Sequence, residues 1–305
     1  MTLLYILTYF STAVFIIAVA QRFIKFATTP AHLRWELYPV AHEGKRSAYG
    51  GSYLEDGEWW NKKSEQNKLG ELTVMLPEIF LLLGIWEHNR KMWLWSFLMH
   101  HGVYWLAGLA GFMLLGGFLG LVEAGDGGFA NFIPKLFPIF GTVGYIAGTI
   151  GTLGMLVIRT TDSGLRKYSA FATYFNLFFL LAIFTTGLVN MVTNPAIYAE
   201  MAGFFAGLLG AGFAGVSGMT ALHLTWAVLF VLYLPFTHMT HFFTKYFTYH
   251  SVRWNDEPNI RGGKLEKQII ENLQFKPTWS AKHIGADGNK NWAEVATSEV
   301  PEDEK

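Results

Sequence analysis

The chain has 305 residues, of which 51% are hydrophobic, 16% aromatic and only 15% charged, and its formal net charge is zero. This composition excludes an ordinary soluble domain and indicates a polytopic membrane protein with no nucleic-acid partner. The chain has no cysteine. It can therefore neither ligate an iron–sulfur cluster through thiolates nor attach a c-type haem covalently. Any redox chemistry must use a non-covalent cofactor or another subunit.

Apolar segments that are long enough to cross a hydrocarbon core of about 30 Å predict five membrane-spanning helices. The first lacks a basic leader and a small-residue cleavage site, so we expect a retained helix rather than a signal peptide. The predicted fold class is an all-α, five-helix membrane bundle over residues 1–250, with a cytoplasmic loop and a cytoplasmic docking tail at 251–305. The predicted spans are 3–26, 93–121, 136–158, 169–192 and 220–243.

Two further apolar stretches, 72–86 and 196–218, are not counted as spans. The first is short and contains a proline and a glutamate, which suits an interfacial or re-entrant piece. The second is long enough, but a crossing there would place the nine basic residues from Lys245 onward outside. With five spans, all Lys and Arg residues except Lys135 fall on one side. The positive-inside rule then predicts a cytoplasmic (inner) membrane protein with its N-terminus outside and its C-terminus in the cytoplasm.

The last apolar run, Gly218–Tyr249, contains His223, His238 and His241. On one continuous helix, the eighteen residues between His223 and His241 make five turns, so both would share a face about 27 Å apart. An ionisable residue inside a spanning helix is costly and marks a functional site. Neutral imidazole is the usual axial ligand of haem iron. The alternative is that these histidines are hydrogen-bonded to carbonyls in the bundle.

Histidines of the second and fifth predicted helices lie at a similar depth in the membrane, which favours a haem site between those two helices. The second helix would reach His100 and His101 about two turns after Trp93, and the fifth helix, which runs the other way, meets His241 near its cytoplasmic end. This predicts a b-type haem between the two helices, with one axial imidazole from each. Adjacent helical residues point about 100° apart, so only one of His100 and His101 can ligate the iron. The other is then available to a propionate, a quinone or a carbonyl.

Further polar residues lie at the predicted cytoplasmic mouth beside His101. We expect Glu78 and His88, together with His101, to be candidates for exchanging quinol protons. The alternative is that such residues only solvate a helix end. Trp35, Tyr38 and the nearby tryptophans of the first loop suit either an interfacial aromatic belt or a docking surface. The tail is too polar to form a core and is expected to fold against a partner.

Five spans, histidines eighteen apart on the last span, and the sequence SFLMH at Ser96–His100 resemble the membrane cytochrome b (gamma) subunit of respiratory nitrate reductases. The resemblance covers about residues 1–250. The loop LRWELYPVAHE, Leu33–Glu43, is similar to that of a subset of this superfamily, the cytochrome b subunits of heterodisulfide-reductase-related complexes of anaerobic respiration. The resemblance implies a helical bundle that binds haem b and passes electrons between membrane (mena)quinol and a cytoplasmic iron–sulfur subunit. Such a chain is quinone-reactive within its complex and is not catalytic alone.

The resemblance implies His100 and His241 as ligands of the cytoplasm-side haem, and His223 as one ligand of a second haem near the outer surface. The family has another histidine ten residues after the first on helix two, where this chain has Ala110. Met113 lies at a suitable depth, and a thioether can ligate haem, with core packing as the alternative. The eighteen-residue spacing, and the lack of another purpose for His223 in lipid, favour two haems, with a one-haem form as the alternative.

The competing function is a haem-free membrane anchor or a small transporter in which the histidines form a proton relay. A transporter of this kind is expected to have internal repeats and broken helices with midplane charges. The sequence has no internal repeat and no carboxylate within predicted spans two to five. We therefore predict the electron-transfer function.

Overall fold

The computed structural model describes residues 1–29, 43–63, 67–120, 132–255 and 257–299. These ranges are helical and contain no strand, apart from an isolated bridge between Ala281 and Ala286. The α-helices of the described ranges, in chain order, are α1 (Thr2–Thr28), α2 (Lys68–Phe80), α3 (Leu83–His88), α4 (Arg90–Phe118), α5 (Phe132–Thr161), α6 (Ser163–Lys167), α7 (Phe171–Thr193), α8 (Ile197–Leu208), α9 (Gly218–Tyr233), α10 (His241–Phe247), α11 (Lys264–Leu273) and α12 (Trp292–Thr297).

Five helical segments are long and apolar enough to cross a membrane, namely α1, α4, α5, α7 and the segment Gly218–Phe236 that begins as α9. The predicted all-α fold with five candidate spans is confirmed. The stretch 72–86 is divided between α2 and α3, and the stretch 196–218 contains only the 12-residue α8 before turns begin. Neither stretch supplies another helix of spanning length.

The fifth span corrects one prediction. The helix does not continue to residue 243, because α9 ends at Tyr233 and two 3-10 turns follow, Leu234–Phe236 and His238–Thr240. Pro235 accounts for the break, since proline has no N–H and its ring collides with the preceding helical turn. A new helix, α10, then begins at His241. The unbroken helix from which a shared face and a spacing of about 27 Å were predicted for His223 and His241 was therefore wrong.

Glycines bring the backbones of α4 and α5 into contact. A Cβ atom on Gly102 of α4 would overlap the backbone of Gly148 on α5, and one on Gly151 would overlap the backbone of Met99 on α4. Small residues at a helix interface permit such close approach, which drives helix association in lipid through van der Waals packing. The α5 row that faces neighbouring helices consists of Gly141, Gly144, Gly148, Gly151 and Gly154.

Glycines also permit close packing between α5 and α7. A Cβ on Gly148 would overlap the ring of Phe184, and a Cβ on Gly187 would overlap the ring of Tyr145. Each glycine therefore leaves space for an aromatic ring of the other helix. Tyr145 is fully buried and belongs to an apolar core that includes residues of α1, α4, α5, α8 and α9.

The chain divides into two compact units, Met1–Val19 with Thr73–Met239 and Ala20–Leu72 with Thr240–Lys305. The first unit contains the glycine contacts described above. Within the second, Arg22 donates to the Thr240 hydroxyl at 2.9 Å and the rings of Phe23 and Phe247 lie 4.9 Å apart. The end of α1 therefore packs on α10. Described residues of the first loop and of the tail fall in the second unit, and the predicted boundary at residue 250 between membrane domain and docking tail stays a prediction.

The α4–α5 contact predicts a sharp difference between two glycine substitutions. Gly151→Ala should lower stability by about 1 to 3 kcal/mol, because the added methyl group collides with backbone that cannot rotate away. Gly111→Ala is the control, since a Cβ on Gly111 meets nothing within 4 Å. Thermal unfolding of both variants in detergent checks this. Equal melting temperatures for the two variants would contradict the close backbone contact.

Candidate functional site

His100 on α4 has the bonding of a preorganised imidazole ligand. Its Nδ1 lies 2.7 Å from the carbonyl oxygen of Ser96, one turn earlier, and Ser96 is buried. A carbonyl can only accept, so the proton is on Nδ1 and the lone pair is on Nε2. Metal-bound histidines usually donate their other ring N–H in this way, which fixes tautomer and ring orientation. His100 therefore fits the chemistry of an axial haem ligand.

His101 has the same tautomer but a different environment. Its Nδ1 lies 3.0 Å from the carbonyl oxygen of Phe97, and its ring stacks on the Phe97 ring at 3.9 Å. Tyr104 lies edge-on to His101 at 5.5 Å and donates its hydroxyl to the Ile79 carbonyl at 3.0 Å. His101 is thus part of an aromatic group where the end of α2 packs on α4.

His238 lies in the 3-10 turn before α10, and His241 is the residue at which α10 begins. The side chain of His241 is exposed. It belongs to the second unit, whereas His100 belongs to the first. Their pairing across one haem therefore stays a prediction. His238 is exposed in the 3-10 turn before α10, with its Nδ1 3.5 Å from the amide nitrogen of buried Asn176.

His223 lies inside the bundle with both ring nitrogens hydrogen-bonded. Only 3% of it is exposed, its Nε2 lies 3.0 Å from the Tyr145 hydroxyl, and its Nδ1 lies 3.2 Å from the Thr186 hydroxyl. The Thr186 hydroxyl donates to the Ala182 carbonyl at 2.6 Å, so it accepts from His223. Nδ1 therefore carries the proton, and the Nε2 lone pair accepts from Tyr145.

This bonding does not fit haem ligation through His223. Iron would need the Nε2 lone pair, which here accepts from Tyr145, and the Tyr145 ring is held against Gly187. Met113, the predicted partner, is fully buried in the apolar core cluster. That position matches the core-packing alternative for Met113. The bonding of His223 matches the alternative of a hydrogen-bonded core histidine, with hydroxyls in place of carbonyls.

Glu200 forms a polar cluster that the sequence analysis missed. Its Oε2 accepts from the backbone N–H of Ser217 at 3.0 Å, from the Ser217 hydroxyl at 2.9 Å, from Asn194 at 3.1 Å and from the Thr220 hydroxyl. Ser217 is the N-cap of α9, so the carboxylate lies at the positive end of that helix. Buried Asn190 of α7 donates to Thr220 at 3.0 Å. One signal was available: Glu200 is the only acidic residue between Asp162 and Asp256.

These bonds determine the charge of Glu200. Burial favours the neutral form and would raise its pKa, whereas the hydrogen bonds from Thr220 and its neighbours favour the ionised form and outweigh burial. The pKa of Glu200 is therefore below its usual value of 4.5. The carboxylate is ionised at neutral pH and joins α8 to the start of α9.

The structure also describes the positions of the other two candidates for quinol protons, Glu78 and His88. Glu78 accepts from the backbone N–H of Gly84 at 2.8 Å and so caps the turn that begins α3. His88 is the exposed last residue of α3. Most of the loop motif Leu33–Glu43, including Trp35 and Tyr38, lies outside the described residues, so its docking role stays a prediction.

No family model, curated protein or solved structure matches the chain. Within the described ranges, no group of three or more His, Cys, Asp or Glu residues is placed to hold a metal ion. A haem iron with two axial histidines does not need such a group. The resemblance to a cytochrome b subunit thus rests on the spans and on the histidines themselves.

The Glu200 cluster predicts a pH-dependent contribution to stability. Glu200→Gln should destabilise the protein by about 1 to 3 kcal/mol at pH 7, because charge-assisted hydrogen bonds are lost. A group with a lowered folded-state pKa stabilises above its unfolded value and loses that contribution as pH falls through the folded pKa. The difference from wild type should therefore shrink below about pH 4.5. Thermal unfolding from pH 7 to pH 3.5 measures it, and a difference that stays constant would contradict the assignment.

Proposed function

We propose that the chain is a membrane cytochrome b subunit, which passes electrons between membrane quinol and a cytoplasmic iron–sulfur subunit. The observation that carries the proposal is the bond from His100 Nδ1 to the Ser96 carbonyl, which directs the Nε2 lone pair away from the helix backbone. His100 lies inside one of five spanning helices, where an imidazole without a function is costly. Imidazole in this tautomer is the usual haem ligand.

In this proposal His100 and His241 hold one b-type haem. When bound, haem supplies a one-electron carrier within the membrane. His100 lies five residues after Trp95, whose ring lies against Gly154 of α5. Five residues turn a helix by about 140° beyond a full turn, so the His100 side chain is directed away from α5. His223 is not assigned to a second haem, because both its nitrogens bond to hydroxyls.

Quinol oxidation releases two electrons and two protons, so the electron path needs a proton acceptor beside the quinol. Among the sequence-predicted candidates, Glu78 already accepts from the backbone of α3. His88 is exposed at the end of that helix. His101, half-buried among Phe97 and Tyr104, is therefore the strongest candidate for accepting a quinol proton.

The proposed complex needs a second subunit. The chain has no cysteine, so electrons that leave the haem must pass to a cofactor held elsewhere. The proposed partner is a cytoplasmic iron–sulfur protein that resembles the electron-transfer subunits of heterodisulfide reductases or nitrate reductases. The first loop and the tail, with α11 and α12, are the proposed docking segments, and in this proposal they lie on the cytoplasmic side.

A haem-free anchor or proton-relay subunit is the second candidate function. The observation that favours it is the arrangement between α7 and α9, where His223 bonds to Thr186 and Tyr145. One turn away along the same two helices, Asn190 bonds to Thr220. Polar groups of this kind inside a membrane bundle mark ion or proton pathways in transporters. A subunit of this kind contains no haem, so the purified chain would have no visible haem absorption band.

Alanine substitution tests the two proposed ligands. His100→Ala and His241→Ala should each abolish the low-spin signal of the haem, because bis-imidazole ligation needs both side chains. His101→Ala is the matched control, since it removes the adjacent imidazole on the same helix. Reduced-minus-oxidised absorption spectra of the purified variants measure the result. A full-intensity, unshifted spectrum in His241→Ala would overturn the assignment.

Haem stoichiometry tests the exclusion of His223. We expect about one haem per chain, unchanged in His223→Ala and in Tyr145→Phe, although both variants should melt earlier because buried polar partners are lost. Pyridine haemochrome assays against protein concentration give the ratio. Two haems per chain in wild type that fall to one in His223→Ala would show that His223 is a ligand.

A further inference from the structure

The connection between α5 and α7, residues 159–171, contains three basic residues. Arg159 lies in the last turn of α5, and Arg166 and Lys167 end the short helix α6. The one acidic residue of the connection, Asp162, is the N-cap of α6, and its carboxylate accepts from two backbone N–H groups of that helix. Within the described ranges, none of the three basic side chains forms an ion pair. The connection therefore has uncompensated positive charge at the end of a candidate span.

Arg159 is held in place by the fold although it has no anionic partner. Its Nη1 donates to the Ser169 hydroxyl at 3.0 Å, and that hydroxyl donates to the Leu165 carbonyl at 2.8 Å. Tyr174 of α7 donates to the backbone carbonyl of Arg159 at 3.0 Å. The arginine is thus fixed between the end of α5 and the start of α7.

The protein satisfies only part of the Arg159 guanidinium. This group carries five N–H donors, and its one hydrogen bond to a described residue joins Nη1 to Ser169. The Nε atom is enclosed without a partner, whereas Nη2 keeps accessible surface and makes no hydrogen bond to the described residues. A partly enclosed charge without hydrogen bonds is costly. An acceptor that approaches Nη2 from outside the chain would offset that cost.

Two arginines elsewhere in the chain show the contrast. Arg46 forms a bidentate pair with Asp56, and Arg90, the first residue of α4, lies 4.7 Å from the centre of the Trp86 ring. A long basic side chain at a helix end can also extend its head group into water. The bond to Ser169 and the enclosed Nε keep Arg159 against the bundle instead. Its position therefore suits an anion that binds at the protein surface.

The place of Arg159 in the span indicates which anion this is. The last turn of a spanning helix lies where the hydrocarbon core meets the headgroups. Val157, Tyr168 and Phe171 nearby are exposed, and exposed aromatic side chains are enriched at the membrane interface. Phospholipid phosphates lie at this level, and guanidinium groups bind phosphate oxygens through charge-assisted hydrogen bonds. Basic sites between spanning helices are known to bind anionic headgroups.

We propose that the connection binds the phosphate group of an anionic phospholipid. Nη2 of Arg159 donates to a phosphate oxygen, and Arg166 and Lys167 supply further positive charge. A zwitterionic phospholipid carries the same phosphate with a cationic amine, which the uncompensated charge of the connection disfavours. Phosphatidylglycerol has no such amine and has a net negative charge. Binding needs no haem and does not depend on the proposed electron-transfer function.

Native mass spectrometry of the purified full chain in detergent tests the proposal. The probes are dioleoyl phosphatidylglycerol and dioleoyl phosphatidylcholine, titrated separately. We expect a first phosphatidylglycerol adduct that is about tenfold tighter than the phosphatidylcholine adduct, as charge-assisted hydrogen bonds imply. Arg159→Gln should remove this preference. Arg90→Gln is the matched control and should bind as wild type, because it removes an arginine at the end of another span whose guanidinium already contacts Trp86.

A further variant separates a fixed site from general charge. Ser169→Ala keeps the net charge but frees Nη1, so it should weaken phosphatidylglycerol binding by about threefold. Arg159→Gln should melt at the wild-type temperature in phosphatidylcholine, because it removes an unpaired buried donor. Added phosphatidylglycerol should then raise the melting temperature of wild type and leave that of Arg159→Gln unchanged.

Three outcomes would overturn the proposal. The first is equal affinity of the wild-type chain for the two lipids. The second is the same loss of affinity in Arg90→Gln as in Arg159→Gln, which would show general attraction to positive charge. The third is displacement of phosphatidylglycerol by inorganic phosphate alone, which would assign the site to a soluble anion. If Arg159→Gln fails to fold, the double variant Arg166→Gln with Lys167→Gln replaces it, since both side chains are exposed, and unchanged phosphatidylglycerol affinity in this variant and in Ser169→Ala would contradict the site.

Discussion

The contact between the backbones of α4 and α5 fixes the orientation on which the other features depend. Helices gain little from the hydrophobic effect inside lipid, so close van der Waals packing between small residues provides much of the association energy. Gly102, Gly148 and Gly151 supply that packing here. Once this face of α4 lies on α5, His100 is directed elsewhere.

Buried polar groups divide the bundle into regions with different chemistry. His223 and Glu200 are both satisfied by neighbouring side chains or backbone, so they stabilise particular helix contacts. His100 Nδ1 lies 2.7 Å from the carbonyl oxygen and 3.3 Å from the hydroxyl oxygen of Ser96, so the imidazole is oriented by its own helix. In this account His223 and Glu200 have structural roles, whereas His100 is assigned to the proposed haem because the Ser96 carbonyl fixes its tautomer. In the proposed one-haem form, electrons do not cross the membrane in two haem steps, so a quinone that exchanges electrons with the chain must bind within reach of that haem.

The sequence predicted those features of the fold that depend on the hydrophobicity of long segments. The five spans and the exclusion of 72–86 and 196–218 followed from segment length and basic-residue bias, and the structure agrees on the five helices. The prediction of a continuous fifth helix was wrong because Pro235 follows the end of α9 at Tyr233 and cannot continue an α-helix. The glycine row of α5 was also visible and predicts close helix packing, although it does not say which helix lies against it.

The candidate sites were less predictable, because they depend on contacts between helices. His100 and His223 are both histidines in apolar helices, and only the tertiary structure shows that one bonds to its own helix and the other to Tyr145 and Thr186. That the enclosed Nε of Arg159 lacks a partner among the described residues depends on which atoms surround it, which periodicity cannot supply. Glu200 had a sequence signal, but its partners Ser217 and Thr220 became evident only when α8 was placed beside the start of α9.

The visible absorption spectrum of the purified wild-type chain, before and after dithionite, tests the central claim most directly. The account predicts a sharp α-band on reduction, typical of bis-imidazole b-type haem, with about one haem for each chain. A purified, folded chain with no such band after expression under haem-sufficient conditions would contradict the account and favour the haem-free anchor or proton-relay function.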